Sequence, residues 1–131
     1  MIPYFDAHCD TLYRCMETGE GGELDYGDTR AAQLAYFAKS HELGQNEGHI
    51  DLTRGKELSR YGQVFALFHD GKYPPADGMW TQCNRIHDFF LQQMEENADL
   101  VRHCRNGAEI DNAVETGKIA ALLSIAGADL I

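Results

Sequence analysis

Gln63-Val64-Phe65-Ala66-Leu67-Phe68, set between Gly62 and Gly71, is apolar after its first residue and has the length of a strand, not a helix. A strand that is apolar on both sides must be covered on both sides, as in a parallel sheet flanked by helices. Lys118 to Ile125 repeats this pattern and Tyr4-Phe5-Asp6-Ala7-His8 opens with β-forming residues, so three strands are expected. The segments between them read as helical. Thr11 to Met16 is a helix ending near Gly19, and Ala108 to Glu115 is another with Gly117 past its end. Met79, Cys83, Ile86, Phe90, Met94, Ala98 and Val101 recur at three- and four-residue spacings, which predicts one long helix after Asp77, ended by Asn106-Gly107. Alternation of strand and helix makes the class α/β.

The middle of the N-terminal half is less regular. Glycines 19, 21, 22 and 27 mark a loop, after which Asp28 or Thr29 caps a helix expected over Arg30 to Leu43 and stopped by Gly44. Its apolar positions, Ala31, Leu34, Ala35 and Ala38, share one face. Gln45 to Asp51 reads as a polar loop, and Thr53 as the cap of a short turn through Ser59.

The chain has 131 residues, enough for one domain with its own core, and no internal repeat. With 11 Lys and Arg against 21 Asp and Glu, its net charge of -10 repels phosphate backbones and anionic membrane surfaces, so neither nucleic acid nor membrane is expected as a partner. The N-terminus lacks a basic, apolar leader and no segment approaches a membrane span, which predicts a cytoplasmic protein. Cys9, Cys15, Cys83 and Cys104 have no C-x-x-C spacing and read as reduced thiols, not as a structural zinc site.

Alternation along the first strand would put Asp6, His8 and Asp10 on one face and Phe5, Ala7 and Cys9 on the other. A divalent cation is a partner that satisfies an imidazole and carboxylates together, and the C-terminal end of a barrel strand is where catalytic groups sit. The alternative is a hydrogen-bonded strand-to-helix junction with Asp10 as N-cap. His49-Ile50-Asp51 is a second H-x-D triplet, and it reads as loop structure or capping.

Four blocks, in order, resemble the opening of the renal (membrane) dipeptidase family: Phe5-Asp6-Ala7-His8-Cys9-Asp10-Thr11-Leu12, Gly48-His49-Ile50-Asp51-Leu52, Gly62-Gln63-Val64-Phe65 and Gly117 to Ile125. The resemblance implies the N-terminal part of a (β/α)8 TIM-type barrel of the amidohydrolase kind, about three β-α units long, in a single domain over 1–131 with an insertion near 19–47. It implies a zinc metallopeptidase that hydrolyses dipeptides with a two-zinc site, in which His8 and Asp10 bind one Zn2+. The second H-x-D is not a ligand in that pattern.

Two departures bear on activity. The family's zinc-bridging Glu falls here at Ala126, between Ile125 and Gly127. A complete barrel also needs about 250 residues, and the family's remaining zinc histidines come from later strands. The chain by itself is therefore expected to be inactive or incomplete, with self-association through an uncovered sheet face. A non-catalytic homologue acting as a binding or assembly module is the alternative, and a doubly wound α/β domain is a third. No residue is assigned to acid–base catalysis or to substrate. His69 has the one histidine position outside the H-x-D triplets suited to a barrel mouth, though a loop hydrogen bond is its default role. Ser124 lacks a G-x-S-x-G elbow, and Trp80 and Phe89-Phe90-Leu91 read as helix-to-sheet packing.

Overall fold

The computed structural model describes residues 3–17, 42–46, 48–69 and 76–127. Within them the order is β1 (Tyr4–Cys9), α1 (Thr11–Glu17), α2 (Leu52–Gly55), β2 (Tyr61–Leu67), α3 (Met79–Glu96), β3 (Val101–His103), α4 (Gly107–Glu115) and β4 (Ile119–Ile125). The class is α/β. The helix expected over Arg30 to Leu43 and the insertion near 19–47 fall outside the described residues, apart from 42–46.

All strands pair in parallel, in the order β1-β2-β4-β3. Three were expected. The fourth, β3, lies where the sequence pattern predicts the tail of the long helix, because Val101 is seven residues beyond Met94 and so fits a helical period. The helix instead stops at Glu96, with the Asn97 N–H bonded back to the Gln93 carbonyl and the Ala98 N–H to the Glu95 carbonyl. Asn106 does not end that helix; it caps α4. Its side chain accepts from the Glu109 N–H at 3.0 Å while the Glu109 carboxylate accepts from the Arg105 N–H at 2.8 Å, a reciprocal cap of the capping-box type.

The order of winding explains which helix covers which face. From β2 the chain crosses over the site of β4 to reach β3, then returns to β4, and right-handed crossovers in opposite directions place their helices on opposite faces. Ile86, Phe90 and Met94 of α3 accordingly pack with Phe65, Ile119, Ala121 and Val101 in the main core, together with Leu12 and Cys15 of α1. Ala113 of α4 packs with Ala120 and Cys104 on the other side. Toward β1 that second face is open among the described residues: Phe5 is 57% exposed, and Val64, Leu122 and Ser124 are half-buried. Gly62 is required beneath Phe5, since a Cβ there would lie 2.7 Å from the Phe5 ring.

Trp80 does not pack on the sheet. It is 61% exposed, because the first turn of α3 carries it away from the stripe formed by Cys83, Ile86 and Phe90. The cluster at 89–91 divides likewise: Phe90 is fully buried, Phe89 half-buried and Leu91 exposed. Polar anchoring holds the 42–46 segment, where buried Gln93 accepts from the Leu43 N–H at 2.7 Å.

All four cysteines are free and buried. Burial pushes the Cys9 thiol up to about 11 and the Cys15 thiol to about 12, and it raises Cys83 and Cys104 as well. Alkylation by iodoacetamide at pH 8 is thus expected to be slow in the folded chain and fast in denaturant. Because the folded thiols bind their protons more tightly than the unfolded ones, stability is full below the ordinary thiol value. It falls as pH rises from there through about 11 for Cys9. Urea midpoints that rise over that interval would contradict this burial.

Candidate metal site at the C-terminal sheet edge

β1 does not alternate as a regular strand. Asp6 lies opposite Gln63 and Cys9 opposite Phe65, so three steps on β1 match two on β2. Gln63 and Phe65 share one face, and the extra residue therefore brings Asp6 and Cys9 onto the same side. The expected division, with Asp6, His8 and Asp10 together against Cys9, does not hold. Cys9 enters the main core, while the His8 side chain stays half-exposed. The Asp6 carboxylate is used locally, accepting from the His8 N–H at 3.2 Å.

His8 and Asp10 are nevertheless brought together. His8 Nε2 lies 3.1 Å from Asp10 Oδ1, and that oxygen is buried without a hydrogen bond of good geometry. Asp10 also begins α1, its carbonyl accepting from the Arg14 N–H at 3.1 Å, so the backbone beneath the carboxylate is fixed by a helix start. Two ligands about 2.0–2.1 Å from a tetrahedral zinc are separated by about 3.3 Å. A nitrogen and an oxygen 3.1 Å apart fit two corners of such a shell.

The other ends of the same edge are also placed. Ala126 follows β4 and donates its N–H to the Leu67 carbonyl at 3.0 Å, which sets position 126 beside the end of β2. A methyl group there supplies no ligand. His69, just past β2, stacks edge-on against Tyr13 with centroids 5.4 Å apart, and its buried Nδ1 has no hydrogen-bond partner. Among the described residues no group of three or more His, Cys, Asp and Glu side chains is arranged to hold a metal. The donor set thus fits half of one metal shell and does not fit a bridged pair.

The second triplet is separate. Asp51 is 3% exposed and caps α2, accepting from the Arg54 N–H at 2.7 Å and from Arg54 Nε at 2.5 Å. Of the two roles its sequence suggests, loop structure or capping, the triplet takes the second, and the capping residue of the following turn is Asp51 and not Thr53. The Thr53 hydroxyl instead donates to the Gly44 carbonyl at 2.7 Å. No helix among the described residues is long and apolar enough to cross a membrane. No protein-family model matches the chain, and no curated protein matches it in sequence.

Proposed function

We propose that the chain is the N-terminal part of a zinc dipeptidase-like (β/α)8 barrel and that His8 and Asp10 form half of a metal shell at its mouth. The observation that carries this reading is the 3.1 Å approach of His8 Nε2 to a buried Asp10 oxygen that lacks a hydrogen bond, at the C-terminal end of a parallel strand. The all-parallel sheet is compatible with it: β1, β2 and β4 lie side by side, with the three-residue β3, which precedes β4 in the chain, paired outside β4.

A bound zinc would supply a Lewis acid and lower the pKa of a coordinated water, the chemistry of dipeptide hydrolysis. This chain's own part is to present one imidazole and one carboxylate from a strand end held by α1. With Ala126 in the bridging position, hydrolysis by the chain alone is not expected.

A second reading is favoured by a different observation: α4 covers the face opposite α1 and α3, as in doubly wound domains. In that reading the chain is a doubly wound α/β domain unrelated to the dipeptidases. Zinc content after purification separates the two. Near-stoichiometric zinc in the chain, lost in His8→Ala, is expected from the first reading, whereas metal-free protein in both would remove its basis.

A further inference from the structure

The opposite end of the sheet holds a cavity of about 250 Å³ where the turn after α2 meets the entry to β4. Its lining includes Lys56, Leu58, Ser59, Tyr61, Lys118 and Ile119. Tyr61 and Ile119 belong to the first residues of β2 and β4, so this cavity lies at the N-terminal strand ends, away from Asp10 and Ala126. The proposed metal chemistry makes no use of it.

Its two sides differ in character. Tyr61 and Ile119 are 5% and 2% exposed and Leu58 is 39% exposed, which gives an apolar floor and wall. The Tyr61 hydroxyl is already committed to Gln63. Lys56 and Lys118 also line the cavity, and each ammonium is hooked to a backbone carbonyl: Lys56 Nζ donates to that of Gly117, itself a lining residue, and Lys118 Nζ to that of Ala98, beyond the lining, at 2.6 Å. An ammonium has three donors, so each keeps further N–H groups to offer. Anchoring of the long side chains reduces the rotamer freedom a ligand would otherwise have to quench. Gly117, at φ 72°, makes the turn that carries one of these carbonyls.

We propose that this cavity binds a small amphipathic carboxylate, its head between Lys56 and Lys118 and its chain on Leu58, Tyr61 and Ile119. Charge and size select that class. Two cations within a chain of net charge -10 mark a local reversal of sign. Glu57 also lines the cavity, and with two cations against it the balance suits a single negative charge better than a polyphosphate. At about 250 Å³ the cavity falls just below the drug-sized range of about 300–1,000 Å³, which favours a ligand as small as hexanoate.

The test is a titration of the whole chain with hexanoate, followed by backbone amide NMR shifts, with acetate and 1-hexanol as comparison probes. Saturable shifts confined to residues 56–61 and 117–119 are expected, with both comparison probes weaker. Lys118→Gln and Lys56→Gln should each weaken hexanoate by about threefold to fivefold, the range of an exposed ion pair. Lys118→Arg, which keeps the charge, should retain binding and guards against loss of fold as the cause. Absence of saturation, equal binding of hexanol, or undiminished binding in both Gln variants would overturn the proposal.

Discussion

Phe90→Ala is expected to lower the free energy of unfolding by about 3–5 kcal/mol, the usual range for a buried Phe cut back to Ala. Phe90 is fully buried, its ring 5.9 Å from Phe65 of β2 and edge-on to His103 of β3 at 5.0 Å. It therefore ties α3 to two strands at once. The cavity left behind has little means to collapse, because the strands beneath are fixed by their pairing to β4. Against a total stability of about 5–15 kcal/mol, such a loss leaves a marginal domain. Urea denaturation would show it as a large fall in midpoint, while Phe90→Leu, which conserves most of the volume, should lose about 1–2 kcal/mol. An unchanged midpoint in Phe90→Ala would mean that α3 does not seat on the sheet at this residue.

Ala126→Glu is expected to raise zinc affinity by at least ~10–100-fold, taking the loss seen for outer-shell groups as the lower bound for a direct ligand. The expectation rests on the proposed dipeptidase-like site. Position 126 is held at the same sheet edge as His8 and Asp10 by the bond from its N–H to the Leu67 carbonyl. Ala126→Gln has nearly the same shape without the charge and should gain little. Isothermal titration with zinc distinguishes them, and equal affinity in the parent chain and the Glu variant would remove position 126 from the site.

How much of this was legible in the sequence depended on whether the signal was local. The runs at 63–68 and 118–125 are apolar on both faces and become β2 and β4, the two most buried strands. β3 was missed because three residues are too few to show a period of two, and Val101 satisfied the helical spacing equally well. The cap formed by Asn106 and Glu109 had a local signature, N-x-x-E, masked by the habit of Asn-Gly to end helices. For the site, the pairing of His8 with Asp10 followed from their spacing. The fate of Asp6 did not, since it depends on how β1 registers against β2. The cavity was invisible for a related reason: Lys56 and Lys118 are far apart in sequence and meet only through the fold.

The surplus residue in β1 separates two demands that a regular strand would have tied together. With strict alternation, every change that reseated Cys9 in the core would also have turned His8, for inside and outside would be set by one parity. Here the parity is broken between Asp6 and Cys9. Cys9 answers to packing in the core with Phe65, and the His8 imidazole is left exposed, free of that demand. Position 8 can therefore change its side chain without disturbing the interior.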